Sequence, residues 1–207
     1  MKQKRIPDET IRRLPVYLRG LMFLIGEGQL SISSKTLSDY VGVNSSQIRK
    51  DFSYFGDFGV RGVGYDIRKL CIEIKGILRL DIHQKAALIG VGNLGSAFLS
   101  YSGFQLYGFE LAAAFDNNPK KVGKRINNVE IMDITKLGEL KKQNIKLGIL
   151  AVPRDSAQEI TDELVNAGIT GILNFSPCYI TVPKKVKVVT IDIAGYLARM
   201  SYYTSAG

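Results

Sequence analysis

The chain of 207 residues reads as an α/β protein in two parts. A winged helix-turn-helix domain is expected over residues 1–80 and a parallel α/β domain over residues 81–190, with a terminal segment at residues 191–207. Three observations predict this. Apolar residues recur at three- and four-residue steps early in the chain and switch to short strand-like runs from residue 86 onward. Residues 33–55 hold two short helical patterns on either side of a glycine turn. The first strand-like run ends in Gly90-Val91-Gly92-Asn93-Leu94-Gly95.

Composition narrows the classes before any element is placed. With 45% hydrophobic and 23% charged residues, the chain can bury a sizeable core, which excludes disorder as its main state. No apolar run approaches the roughly 18–20 residues of a membrane-spanning helix. The N-terminus is basic (Lys2, Lys4, Arg5), but Asp8 and Glu9 follow where a secretory signal would turn apolar. Cys71 and Cys178 lack CxxC spacing, which argues against a disulfide framework or zinc site and fits a reducing, cytoplasmic setting. The 28 Lys+Arg against 19 Asp+Glu give a net charge of +9, which suggests an anionic partner. Nucleic acid, cofactor phosphates and a membrane surface all satisfy that demand. Residues 1–80 carry 14 basic against 8 acidic side chains, net +6, and residues 81–207 carry 14 against 11, net +3 over a longer stretch. The first part is therefore the more basic per residue.

In that first part, Ile11, Leu14, Leu18, Leu21 and Ile25 mark a helix that Gly26 and Gly28 end. Residues 34–41 form the next helical pattern, with Ser33 or Ser34 as N-cap. Gly42-Val43-Asn44 is a turn, and a second helix opens at Ser45 under a cap from Asn44 or Ser45. Ser38, Gly42 and Ile48 supply the small contact residue, the tolerant turn residue and the apolar anchor that two steeply crossing helices need. Ser45, Ser46, Gln47, Arg49 and Lys50 are then expected to face outward near the helix N-terminus, as side chains that contact phosphates and base edges do. An ordinary helical hairpin with a solvated polar face is the alternative. Residues 54–65 follow, with Arg61 at a glycine-rich tip flanked by Phe55, Phe58 and Tyr65, which suits a β-hairpin wing better than a flexible connector. Residues 67–80 return to helical spacing and are expected to join the two domains.

In the second part, short apolar runs at residues 86–89, 111–115, 147–152 and 171–175 alternate with helical stretches such as 156–167, the pattern of a parallel sheet. The GxGxxG motif follows the first run and precedes a helix expected over residues 96–101, and Asp116 lies 21 positions beyond Gly95 at the end of the next run. Gly90 would permit the tight turn, Gly92 would admit a pyrophosphate, and Gly95 would let helix and strand approach. Asp116 would accept ribose hydroxyls and repel a 2′-phosphate, favouring NAD(H) over NADP(H). Lys120, Lys121, Lys124 and Arg125 keep a phosphate-friendly alternative open, their plainer role being a solvated loop. Together these features predict a Rossmann-like dinucleotide-binding domain.

Hydride-transfer chemistry needs acid–base groups near the cofactor. The sole histidine, His83, precedes the first strand, at the end away from the expected phosphates. Asp192, between Ile191 and Ile193, reads as a buried carboxylate in need of a partner, and no second catalytic group accompanies it. Cys178 reads as a packed cysteine rather than a reactive thiol. Residues 117–190 are used by strands and helices and leave no room for a substrate domain.

The second helix and wing (Gly42 to Ser45, Arg49-Lys50-Asp51, Arg61 to Tyr65), the motif from Gly90 to Gly95 and the stretch Ile191-Asp192-Ile193-Ala194-Gly195 together resemble the Rex family of redox-sensing transcriptional repressors over essentially the whole chain. The resemblance implies a homodimer on palindromic, double-stranded operator DNA when NAD⁺ is high, released when NADH binds, with a domain-swapped C-terminal helix. It implies base contacts from Lys50 and Gln47, with Ser45, Arg49 and Arg61 on the backbone. It implies a switch built from Arg19, Tyr101 and Asp192, in which an Arg19–Asp192 ion pair gives way to a Tyr101–Asp192 hydrogen bond. Tyr101 and Asp192 thereby join Gly90, Val91, Gly92, Asn93, Leu94, Gly95 and Asp116 as cofactor-binding candidates. Solvated-face and core-packing roles are the alternatives for Arg19 and Tyr101. A small NAD-dependent oxidoreductase and a coenzyme-A-type nucleotide sensor are the competing functions; the first would need a small-molecule substrate, which the repressor does not.

Overall fold

The computed structural model describes residues 6–56, 58–60 and 64–204, which divide into two compact units, Met1–Ile82 and His83–Gly207. The first unit begins with α1 (Asp8–Gly26), whose first turn carries Asp8 and Glu9 where the helix dipole favours negative charge. Its apolar stripe buries Leu14, Tyr17, Leu18, Leu21 and Leu24. Strand β1 (Ser31–Ile32) leads into α2 (Ser34–Val41), capped by the Ser33 hydroxyl accepting from the Thr36 N–H at 3.0 Å. Gly42 closes that helix at φ +66°, which a side chain would resist. Helix α3 (Ser45–Phe52) starts under Asn44, whose side-chain oxygen accepts from the Ser46 N–H at 2.9 Å, and buries Ile48, Asp51 and Phe52.

The wing is a three-stranded antiparallel sheet in the order β1, β3 (Gly64–Asp66), β2 (Gly59–Val60). The Phe52 ring anchors it, meeting Tyr17 at 5.3 Å, Phe58 at 5.9 Å and Tyr65 at 5.3 Å edge to face. Arg61, the expected tip residue, lies outside the described residues. Helix α4 (Ile67–Ile77), capped by Asp66, buries Ile67, Leu70, Cys71 and Ile74. It is thus a core helix of this unit rather than a bare connector.

The second unit is a seven-stranded sheet in the order β10 (Lys187–Thr190), β9 (Gly171–Asn174), β8 (Leu147–Leu150), β4 (Gln84–Ile89), β5 (Phe109–Asp116), β7 (Val129–Asp133), β6 (Arg125–Ile126). All pairings are parallel except β6 with β7. Alternate residues feed opposite faces: Ala87, Ile89, Phe115 and Leu150 enter one core, and Leu88, Ala114 and Ile149 the other. Helices α5 (Asn93–Leu99), α6 (Gly103–Leu106), α7 (Glu139–Lys142) and α8 (Arg154–Asn166) fill the connections. The helix after the glycine motif therefore begins at Asn93 and ends at Leu99, earlier than expected, and Tyr101 falls in the turn beyond it. From β4 the chain builds outward through β5 and β7, then returns to β8 on the other side. That reversal opens a crevice at the carboxyl ends of the central strands, where ligands bind in such sheets.

The last helix, α9 (Ile193–Thr204), buries none of its residues in this chain and leaves Leu197 72% and Tyr202 76% exposed. Among the described residues no helix is long and apolar enough to cross a membrane.

Candidate functional site

In the crevice of the second unit, Gly90 turns the chain at φ +92°, and a Cβ on it would collide with the Ala151 carbonyl of the neighbouring strand end. A Cβ on Gly95 would collide with the Gly90 carbonyl, so this glycine is required for α5 to pack on β4. Gly92 differs: a Cβ there would meet no protein atom within 4 Å. The space before it is open, as a phosphate cradle requires.

Asp116, at the end of β5, is only 6% exposed and braces this loop. Its carboxylate accepts from the Val91 N–H and the Asn118 N–H, both at 2.8 Å, and from Lys121 Nζ at 3.1 Å. Burial pushes the Asp116 carboxyl up, but these backbone donors and Lys121 outweigh it and hold the group below the ordinary carboxylate range. The three bonds use most of a carboxylate's roughly four lone-pair positions and leave about one for a ligand hydroxyl. Lys121 is therefore an ion-pair partner rather than a solvated loop residue, and it partly cancels the charge expected to repel a 2′-phosphate. A cavity of about 410 Å³ runs past Gly90, Gly92, Asp116, Asn118 and Pro153.

A second cavity, about 700 Å³, lies at the ends of β9 and β10 beside Arg154, Ser176, Cys178, Thr190, Asp192 and Ile193. Buried Asn174 holds two of its lining residues in place, accepting from the Ser176 N–H and donating to the Cys178 carbonyl, both at 2.9 Å. The Ser176 hydroxyl is buried with no hydrogen-bond partner among the described residues, a cost that a bound polar group would remove. Cys178 is half-buried, its sulfur 4.0 Å from the Arg154 carbonyl.

Asp192 departs from expectation: it is exposed rather than buried, and it caps α9 by accepting from the Gly195 N–H at 2.8 Å. Its apolar neighbours suggested burial, yet Ile193 is itself 60% exposed. Tyr101 is not core either: it is 61% exposed, with its ring 5.3 Å from Phe104. It lines a separate cavity with Phe98, Asn127 and Arg125, so no described cavity holds Tyr101 and Asp192 together. Arg19 is exposed on α1, lining a shallow cavity with Phe23 and Tyr40. His83 is exposed and pairs with Glu110 at 3.0 Å.

On the first unit, α3 presents Lys50 exposed and Ser45 half-buried. Two of the residues expected to be free have partners: Arg49 donates to the Ser34 hydroxyl at 2.8 Å, and Gln47 Nε2 donates to Asp51 at 2.8 Å. Asp51, wholly buried, is the centre of this unit's polar network. Its Oδ2 accepts from Arg13 Nε at 2.7 Å and the Tyr17 hydroxyl at 2.6 Å, and its Oδ1 from Arg13 at 2.9 Å, Thr10 at 3.0 Å and Gln47. Burial pushes the Asp51 carboxyl up, and the bonds from Arg13, Tyr17, Gln47 and Thr10 outweigh it and hold it at about 2. Burial and Asp51 together push the Tyr17 hydroxyl up.

Compared with known proteins, residues 5–53 match the family model described as a putative DNA-binding protein N-terminus, and residues 81–178 match the CoA binding domain. The redox-sensing transcriptional repressor Rex of Roseiflexus sp. (strain RS-1) is 45% identical over 95% of this chain and 90% of its own length. This chain belongs to the Rex family. The Rex repressor of Carboxydothermus hydrogenoformans is 43% identical over 98% of both chains. Solved structures of RSP, a Rex-family repressor, match 98% of this chain. RSP with β-NAD⁺ and operator DNA is 39% identical, covering 98% of this chain and 94% of that one, with a TM-score of 0.91. RSP with β-NADH is 37% identical over 98% and 96%, with a TM-score of 0.90.

For a Rex repressor, the residues that sequence inspection missed are informative. Phe52, Asp51 and Ser176 all act through partners or surroundings set by the fold. Only Asp51, an acid on the apolar side of a short helix one turn after Gln47, left a readable trace.

Proposed function

We propose that this chain is a homodimeric, cytoplasmic transcriptional repressor that holds palindromic operator DNA when NADH is low and releases it when NADH binds. What carries this is the pairing, in one chain, of a basic helix-turn-helix unit with an open, glycine-lined crevice at the carboxyl ends of a parallel sheet. In this reading Lys50 and Gln47 contact base edges, while Ser45, Arg49 and Arg61 contact the phosphate backbone. The loop from Gly90 to Gly95 would hold the pyrophosphate through the Asn93 and Leu94 backbone N–H groups around the open face of Gly92, with Val91 bracing the loop through its bond to Asp116. Asp116 would offer its remaining lone pair to the adenosine ribose. Ser176, with its unpaired hydroxyl, suits the polar nicotinamide end. The cofactor supplies redox state as information: the nicotinamide ring is cationic when oxidised and neutral when reduced. A charged group beside that ring binds the two forms unequally, and only unequal affinity shifts an equilibrium between DNA-bound and released arrangements.

Arg19, Tyr101 and Asp192 are proposed to be that switch. Asp192 is exposed enough to exchange its Gly195 bond for a side-chain partner. The uncovered apolar face of α9 supports a partner subunit as its seat.

Calorimetry with NADH, NADPH and coenzyme A tests the crevice. NADH is expected to bind tightest, and Asp116→Ala, which frees both the Val91 N–H and Lys121, to weaken it by about tenfold or more. Unchanged NADH affinity in that variant, or tighter binding of coenzyme A, would count against the assignment.

A further inference from the structure

The Gln47 amide has two chemically opposite ends, and the fold decides which one faces outward. A carboxylate accepts hydrogen bonds and cannot donate them when ionised. Asp51 Oδ1 lies 2.8 Å from Gln47 Nε2, and Asp51 is buried, ion-paired with Arg13 and bonded to Thr10 and Tyr17. If the amide were turned over, its oxygen would face that carboxylate across the same distance with no proton between them. Asp51 therefore fixes the polarity of Gln47: one Nε2 hydrogen is spent inward, while Oε1 and the second Nε2 hydrogen remain available. The spacing on α3 makes this geometrically natural, since Gln47 and Asp51 stand four residues apart on one helix side.

We infer that Asp51 is a positioning residue for operator specificity, setting the donor–acceptor polarity that Gln47 presents to base edges in the major groove. This rests on the assignment of Gln47 as a base-contacting residue. An amide pinned in one orientation reads adenine through a donor to N7 and an acceptor from the N6 amino group, and mismatches a pair that offers the opposite order. A free glutamine adapts to either by rotating. The Asp51 bond also removes rotamer freedom before DNA arrives, so less is lost on binding. Through Thr10, Arg13 and Tyr17 the same carboxylate ties α1 to α3, so any movement of α1 relative to α3 would be felt at the reading amide.

Selection from a randomised palindromic duplex library, followed by affinity measurements on single-base variants of the winning site, tests this with the full-length protein. Gln47→Met must first change base preference at one or two positions of each half-site. In Asp51→Asn, a neutral amide replaces the ionised carboxylate that pins Gln47 Nε2, so preference at those same positions should relax about tenfold. Tyr17→Phe, which removes a different donor from the same carboxylate, should leave base preference as it is. Should Asp51→Asn fail to fold, hydrogen exchange of the Gln47 side-chain amide in the native protein decides. Marked slowing relative to the exposed Gln29 amide supports the pinned orientation, and equal rates overturn it. If Gln47→Met leaves preference unchanged, Gln47 is not a reader and both ideas fall. If Gln47→Met changes preference but Asp51→Asn weakens all sites equally, the positioning role alone is overturned.

Discussion

Asp51 is where a single residue's environment is most consequential. Burial disfavours its charge, yet five hydrogen bonds hold the carboxyl at about 2, below the 3.8 of a free group. A group depressed in the folded state contributes stability that is complete above its unfolded value and lost as pH falls through its folded one. The window is therefore about pH 4 down to pH 2, and a shift of this size is worth on the order of 2 kcal/mol. Thermal unfolding followed by circular dichroism should show the melting temperature falling through that window. Tyr17→Phe, which removes the 2.6 Å bond, should show a shallower fall there than the parent. Identical slopes for the two proteins would mean that Tyr17 does not stabilise the ionised carboxylate. None of this was legible from sequence beyond the oddity of an acid on an apolar helix side. Its donors Thr10, Arg13 and Tyr17 are 41, 38 and 34 positions away, and local pattern carries no information about them.

The elements themselves were far more legible. Helices α2 and α3, their caps and the Gly42 turn follow from local chemistry, because a cap or a left-handed turn is decided within a few residues. The apolar runs of β4, β5, β8 and β9 were legible for a similar reason: strands buried on both faces have nothing polar to dilute them. Short edge elements such as β1, β6 and β10 were not, since half-exposed two- to four-residue strands are set by pairing rather than composition. The motif joining β4 to α5 separates two jobs that GxGxxG states as one, and a pair of variants tells them apart. Gly95→Ala places a methyl against the Gly90 carbonyl and should cost roughly 1–3 kcal/mol, read as a lower melting temperature. Gly92→Ala meets no protein atom within 4 Å and sits at φ −77°, so its melting temperature should match the parent while NADH binding is lost. Loss of stability in Gly92→Ala would mean that the cradle is filled by protein.

At the scale of the whole molecule, what one chain leaves unfinished points to a dimer. Helix α9 carries Ile193, Tyr196, Leu197 and Met200 on its surface and buries nothing in this chain. Asp192 was misread as buried for the same reason: its apolar neighbours signal a covered site, and within one chain that cover is absent. The sequence could say that the terminal segment was apolar, but not whose surface it would meet. The central claim is that the redox state of a nucleotide in the second unit sets the grip of the first unit on DNA. Titrating the protein against a fluorescently labelled palindromic operator, at fixed salt, with NADH or with NAD⁺, measures this directly. NADH is expected to raise the protein concentration needed for half-saturation by about tenfold or more while NAD⁺ does not, a coupling of at least roughly 1.4 kcal/mol. Equal effects of the two nucleotides on operator affinity would contradict it.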